Sequence, residues 1–547
     1  MKKILILLTF VLGANLVFGQ APSLKAWHHM DLAQDSVPGI SSNKAYAEIL
    51  KDRKSTPVIV AVIDGGVDYM HEDLKDIMWH NPGEEPGDGI DNDNNGYIDD
   101  VYGWNFIGGK DGRNVDADNL EVTRLYRKYD YKYKNANPAK LNKKQKKEYE
   151  LYLKTKEIVE KEKKSAAEKL DNFKMRKKSI FNSIDAVVKA LKEDNLSFGQ
   201  LDSLKLNEDS DLLPSVMMIK RIVMTNPDLN SFEAIKDYID NEFKRAIDYF
   251  SAKVLYQYNV DFDPRSIVGD KYEDSSERYY GNNDVKGPDP SHGTHVSGII
   301  AAVRNNGIGM NGIANNVKIM AVRVVPDGDE RDKDVANGIR YAVDNGAKII
   351  NMSFGKAFKW DKKVVDKAVR YAEKKGVLLI HAAGNDAEDN DKITHYPSDQ
   401  YEKKMWFCRK GAKNWLEIGA NSYKNDSMFV ASFSNYGKKD VDLFAPGVSI
   451  YSTTPENTYA SYNGTSMATP VVAGVAAVLK SYFPGLSAKQ LKEVIMESTV
   501  KKHMKVIKPG SNGELVDFSD LSVTGGEVNL YNALVLAIQK YGKKAAK

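Results

Sequence analysis

Three short segments of this chain hold side chains that make chemical sense together. Asp64 ends the apolar run Val58 to Ile63 and is followed by Gly65-Gly66. His292 stands in Ser291-His292-Gly293-Thr294-His295-Val296-Ser297-Gly298, just ahead of the apolar residues Ile299, Ile300 and Val303. Ser466 stands in Asn463-Gly464-Thr465-Ser466-Met467-Ala468-Thr469-Pro470, ahead of the small-residue run Val471 to Leu479. A serine hydroxyl is a weak nucleophile until a base removes its proton and an acid orients that base. Asp64, His292 and Ser466 supply acid, base and nucleophile in the chain order Asp, His, Ser. A serine at a helix start also presents its backbone N–H where an oxyanion forms. Pro470 is expected in the first turn of that helix, where N–H groups have no intrahelical partner.

Each segment taken alone has a plainer reading. A strand-end Asp such as Asp64 is often a cap or a turn former. His292 and His295 share a helical face at i, i+3, but zinc hydrolase helices space their ligands i, i+4 with a Glu between them. Neither feature is present, so zinc is set aside. Cys408 has no nucleophile motif around it and is not read as a catalytic cysteine.

The elements that must position these residues are legible as patterns. Val58 to Ile63 is continuous and mostly β-branched, as in a parallel strand buried on both faces. Similar runs recur at Val317 to Val325, Ala347 to Met352, Val377 to Ala383 and Leu416 to Ala420. Helical periodicity lies between several of them, at Val335, Ile339, Ala342 and Val343, and at Val364, Ala368 and Ala372. This alternation predicts an α/β fold with a doubly wound parallel sheet. From Asn119 to Tyr258 the pattern changes: Lys143 to Lys178 is dominated by Lys and Glu, and helical stripes run through Ile180, Ile184, Val187, Leu191 and through Phe232, Ile235, Ile239, Phe243. This is read as a charged helical insertion, residues 119–258, with Asn195 to Asn230 as less regular connections. Its charge run reads as a solvated helical face.

The segments IDGGVDYMHEDL, HGTHVSG, INMSFG, AAGN, FAPGVSIYST and YNGTSMATPVVAG resemble, in order, the successive blocks of the subtilisin-like serine proteases, or subtilases. The resemblance covers about Ala21 to His80 and about Val285 to Ala537. It implies a subtilisin-like fold and a serine endopeptidase acting on proteins or peptides. By that resemblance Asp64 is the orienting carboxylate, His292 the general base and then acid, Ser466 the nucleophile, and Asn385 the oxyanion-hole amide. Ser353, Phe354 and Gly355, with Ala383 and Gly384, correspond to the segments that bind extended substrate through backbone groups. The competing reading is a catalytically silent peptide-binding homologue. The chain departs from compact relatives in placing His292 228 positions after Asp64. Another insertion, 399–414, holds Met405, Trp406, Phe407 and Cys408, and its aromatics read as local core. The peptidase is thus expected in two parts, residues 20–118 and 259–547.

Calcium is expected as a structural cofactor. Asp91-Asn92-Asp93-Asn94-Asn95-Gly96-Tyr97-Ile98-Asp99 follows the register of an EF-hand loop: oxygen side chains at Asp91, Asp93 and Asn95, glycine at the sixth position, the Tyr97 carbonyl at the seventh and Asp99 at the ninth. The twelfth position is Tyr102 rather than Glu, so Asp88 or Asp100 is needed to complete a shell. The alternative is an Asx-rich turn. A second site is implied by the resemblance alone, with Asp73 and Asn306 as side-chain ligands and Ile308 and Met310 as carbonyl ligands.

Composition bounds the remainder. The chain has 547 residues, 78 Lys+Arg against 75 Asp+Glu, and a formal charge of +3, too balanced to point to nucleic acid as a partner. A mean hydropathy of −0.48 with 28% charged residues reflects the insertion. Residues 1–19 carry two lysines, the apolar run Ile4 to Leu12 and a small-residue exit, and read as a secretory signal peptide. Export without a transmembrane anchor is therefore expected, to periplasm, cell surface or medium. The chain holds 1 Cys, so it forms no internal disulfide and needs another staple, for which calcium is the candidate.

Overall fold

A computed structural model describes residues 24–192, 198–204, 210–402 and 411–542. The expected signal peptide and residues Met405, Trp406, Phe407 and Cys408 lie outside the described residues. The chain divides into two compact units. Of the described residues, one unit comprises those up to Asp116 and from Pro264 onward, and the other those within Ala117–Asp263.

The first unit is built on Val58–Asp64, whose alternate side chains enter two different cores. Val58, Val60 and Val62 face one side and Ala61 and Ile63 the other. That is why the run is apolar at successive positions rather than alternate ones. Among the described residues nine strands form one sheet, in the order Val500–Lys501, Gly526–Glu527, Leu443–Pro446, Trp415–Asn421, Leu378–Ala382, Ile349–Met352, Val58–Asp64, Val317–Arg323, Gly103–Asn105. All neighbours are parallel except the first pair. On one face lie the helices Ser291–Ala301, Thr465–Tyr482 and Ala488–Glu497, and on the other Asp332–Asp344 and Lys362–Lys374. The fold is the expected doubly wound parallel α/β sheet. The chain passes from Val317–Arg323 to Ile349–Met352 across Val58–Asp64, so the order reverses at that strand. Open sheets form their crevice outside the carboxyl ends of the strands at such a switch point, and Asp64 is the last residue of the strand.

The second unit is all helical among its described residues. Lys143–Leu191 is one helix of 49 residues, opened by a capping box in which Asn142 and Gln145 serve each other's backbone N–H groups. At its far end Ile184 and Val187 pack with Ile219, Phe232 and Ile235 in a small core. At its near end Tyr133 donates to Glu148 at 2.6 Å and Tyr152 to Asp130 at 2.9 Å. The expectation of irregular chain over Asn195 to Asn230 is corrected: Leu213–Thr225 is a helix with Pro214 in its first turn, and Phe198–Ser203 is a shorter one. Val216, Ile219 and Val223 form the buried stripe that holds the longer helix in place. Among the described residues no helix is long and apolar enough to cross a membrane.

Candidate active site

Asp64 leaves the sheet buried, 3% exposed, and its strand stops because the chain turns at Gly66, where φ is +143° and a Cβ would lie 2.1 Å from the Lys286 carbonyl oxygen. Gly293 permits the second approach. A Cβ there would lie 2.1 Å from the Gly66 carbonyl oxygen, so the helix Ser291–Ala301 begins directly against the strand end. His292 is thereby set on Asp64: Nδ1 lies 2.8 Å from Oδ1 and 3.0 Å from Oδ2. The Gly65 N–H also donates to Asp64 Oδ1 at 2.8 Å. Burial acts first to lower the His292 pKa, but the Asp64 charge and hydrogen bond, aided by Asp289, outweigh it and leave it above the usual 6.5. Nδ1 therefore keeps its proton toward Asp64, and Nε2 is the nitrogen left for chemistry. The His292 side chain is 42% exposed, open to an incoming molecule.

The neighbouring His295 has a different character. It is fully buried, stacks on Tyr462 with ring centroids 4.2 Å apart, and bonds the Ala460 carbonyl through Nε2 at 3.1 Å. Burial lowers its pKa to about 3, so it stays neutral, and its contacts are structural.

Ser466 is the second residue of Thr465–Tyr482, so its N–H is one of the first-turn donors without an intrahelical acceptor. Its hydroxyl donates to the Ser353 carbonyl at 3.1 Å. Among the described residues no hydrogen bond joins Ser466 to His292 in this rotamer. Pro470 is not in the first turn, as the sequence pattern suggested; it lies inside the helix, four residues after Ser466. Proline lacks the N–H that would serve the Ser466 carbonyl. The Ser353 hydroxyl takes its place, donating to that carbonyl at 3.0 Å while accepting from the Asn351 amide at 2.9 Å. Ser353 thus holds Ser466 by both its backbone and its side chain, a role no local motif announces.

Asn385 is exposed, and Thr465 fixes its orientation. Its Oδ1 accepts the Thr465 N–H at 2.9 Å and the Thr465 hydroxyl at 3.0 Å. The amide NH2 is therefore the end turned outward. Ser353, Phe354 and Gly355 continue beyond the strand Ile349–Met352 outside the sheet ladder, with Gly355 exposed. Immediately after them Lys356 and Tyr396 exchange backbone hydrogen bonds at 2.8 Å each. Ala383 is buried and Gly384 half-buried on the opposite segment. Arg323, which the motifs did not single out, is buried and donates to the Gly65 carbonyl at 2.7 Å, bracing the turn after Asp64.

The residues considered for calcium fall into two groups. In the loop, Asp91 caps Asn95 and Gly96 N–H groups at 3.0 and 2.8 Å. Asp99 turns its two oxygens to Gly87 and Gly89 N–H at 2.7 and 2.9 Å. The Asn95 oxygen accepts the Tyr97 N–H at 2.8 Å. The carboxylates that do converge are Glu84, Asp93 and Asp100, with ligand atoms within 4.8 Å of one another. Burial raises Asp100 to about 6. Glu84 was not expected, since nothing in its immediate sequence ties it to the loop; here it accepts the Asn92 N–H at 3.0 Å and the Asp99 N–H at 2.9 Å. In the second group Asp73 is buried and accepts the Asn306 amide at 2.7 Å and the Met310 N–H at 3.3 Å, while the Asn306 oxygen accepts the Ile308 N–H at 3.2 Å.

Residues 55–518 match the family model of the Subtilase family. The chain is 42% identical to thermitase of Thermoactinomyces vulgaris over 212 residues, 39% of this chain and 67% of that protein. It is 40% identical to subtilisin DY of Bacillus licheniformis over 231 residues, 41% of this chain and 74% of that protein. It is also similar to the solved structure of a cold adapted subtilisin-like serine proteinase, with 29% identity, a TM-score of 0.35, and coverage of 46% of this chain and 78% of that one. With a family match spanning most of its length, the chain belongs to the subtilase family and is a serine-type endopeptidase.

Proposed function

We propose that the protein is a secreted endopeptidase that hydrolyses proteins or peptides through Asp64, His292 and Ser466 and an acyl-enzyme. The observation that carries the reading is the clasp of His292 Nδ1 by both oxygens of a buried Asp64, which leaves Nε2 as the nitrogen outside that clasp. In this reading the Ser466 hydroxyl leaves the Ser353 carbonyl and gives its proton to Nε2. Oγ then attacks the scissile carbonyl as His292 takes the proton, and Asp64 stabilises the imidazolium without being protonated itself. The oxyanion lies between the Asn385 amide and the Ser466 N–H. His292 returns its proton to the leaving amine, and a water repeats the sequence to release the acid. Substrate backbone pairs with Ser353-Phe354-Gly355 on one side and Ala383-Gly384 on the other, which leaves side-chain choice broad.

Residues 1–19 serve as the export signal in this reading, and the helical unit is an accessory inserted between the two parts of the peptidase. Calcium is structural. Asp93, with Glu84 and Asp100, offers a set of hard oxygen donors, and Asp91, Asn95, Asp99 and the Tyr97 carbonyl belong to the same loop. Asp73, Asn306 and the carbonyls of Ile308 and Met310 are a second set. The Asn306 amide presents its oxygen to a cation there by a half-turn, which exchanges O and N in place. Bound calcium supplies charge and cross-links loops; no bond is made or broken through it.

The reading is tested by incubating the mature protein with an unfolded protein substrate and identifying products by mass. Internal cleavages that vanish in Ser466→Ala are expected. Release of single terminal residues only, or cleavage undiminished in that variant, contradicts it.

A further inference from the structure

Beside Asn385, and outside the machinery described above, Asp386, Glu388 and His395 bring their ligand atoms within 4.8 Å of one another. The three come from two separate stretches of chain, and one imidazole nitrogen faces both a donor and an acceptor. Asn435 Oδ1 accepts the Asp386 and Glu388 N–H groups at 3.0 Å each, so the other end of that side chain is its NH2. That NH2 lies 3.2 Å from His395 Nε2 and 3.0 Å from the Ala383 carbonyl oxygen. A donor facing Nε2 is served by a lone pair there, as in neutral His395 with its proton on Nδ1. Yet Glu388 Oε2 stands 3.1 Å from the same nitrogen. A carboxylate oxygen and an imidazole lone pair are both acceptors and repel at that distance. A cation between them converts the repulsion into two bonds.

We propose that Asp386, Glu388 and His395 form a binding site for a divalent transition metal of the zinc class. Two carboxylates and one imidazole suit zinc, cobalt or nickel rather than calcium or magnesium, which favour all-oxygen shells. Bonds of about 2.0–2.2 Å in a tetrahedral shell place ligand atoms roughly 3.3 Å apart, which the Glu388–His395 pair already approaches. Side-chain exposure is 13% for His395 and 37% for Glu388, and Asp386 is exposed, so the imidazole is the fixed ligand and the carboxylates swing to it. Asn435 keeps the Ala383 carbonyl as its acceptor when Nε2 turns to the metal. Three protein ligands leave the fourth position to water. The bound ion ties the stretch after Asn385 to the residue before Tyr396, whose backbone pairs with Lys356.

The test uses full-length mature Ser466→Ala, in which self-digestion is absent, with Co2+ and Zn2+ as probes. One equivalent of Co2+ is expected to give the visible absorption of a four-coordinate site, displaced by Zn2+ and unaffected by excess Ca2+. Adding His395→Asn or Glu388→Gln is expected to weaken Co2+ binding at least tenfold. Zn2+ raises the unfolding midpoint of the parent and not of these variants, while their midpoints without metal are expected to match the parent's, which separates lost ligation from lost folding. No four-coordinate cobalt spectrum, or one that survives both substitutions, overturns the proposal and leaves the pair as an imidazolium–carboxylate contact.

Discussion

The two units of this chain bury their apolar residues in opposite ways. In the sheet unit, Val58–Asp64 is covered on both faces, and Asp64, His292 and Ser466 sit where a strand ends or a helix begins. In the helical unit, a 49-residue helix presents long charged stretches and touches a small core near one end through Ile184 and Val187. The lesson is that reactive groups need a surround rigid enough to hold them in strained company. Gly293 packed on Gly66, Thr465 on Asn385 and Ser353 on Ser466 are such contacts; a single amphipathic stripe supplies none of them.

Substitutions can break that contrast, and the largest effect belongs to the sheet unit. Ser466→Ala is expected to lower turnover by about a millionfold, a magnitude taken from subtilisin itself rather than derived from this structure. Steady-state hydrolysis of a quenched peptide checks it. Asp64→Asn is expected to cost roughly 10,000-fold, by analogy with the same change in another serine protease. It also moves the acid limb of the pH profile. The His292 pKa is raised because Asp64 outweighs burial, so wild-type activity falls as pH drops through a value above 6.5. With Asp64 neutralised, burial dominates and the limb moves to lower pH. A limb that stays in place contradicts the assignment. Asn385→Ala follows, at about 100- to 1,000-fold in kcat, again the subtilisin magnitude. KM should change little.

Smaller effects sharpen the comparison. Ser353→Ala leaves the Ser466 carbonyl without a donor because Pro470 supplies none, and is expected to destabilise by about 1–3 kcal/mol. Combining it with Pro470→Ala restores an N–H in the helix and should recover part of that loss in urea unfolding. The smallest effect on catalysis comes from the other unit. Ile184→Ala, at a fully buried position, is expected to cost about 2–5 kcal/mol locally, as large core truncations do. Peptide hydrolysis below its unfolding transition should stay within twofold of wild type.

What could be read in the chain follows the range of the interactions. Val58 to Ile63 was legible as a doubly covered strand because burial on both faces writes itself into successive residues. Asp64, His292 and Ser466 were legible as candidates because each carries its glycines and small neighbours in a short motif. Leu213–Thr225 was missed because Pro214 and a brief stripe look like a connection until Phe232 and Ile235 pack against it. Glu84 joins Asp93 and Asp100, and Asn435 orients Asp386, Glu388 and His395, only through loop closures that leave no local pattern. The place of Pro470 was misjudged because the helix begins at Thr465, earlier than its apolar run.

The central claim, a serine made nucleophilic by the His292–Asp64 pair, is tested most directly by fluorophosphonate labelling of the calcium-loaded mature protein, followed by peptide mapping. The account predicts a single adduct on the peptide containing Ser466, its formation slowed in Asp64→Asn and absent in Ser466→Ala. Failure to label, or an adduct on any other residue, contradicts it.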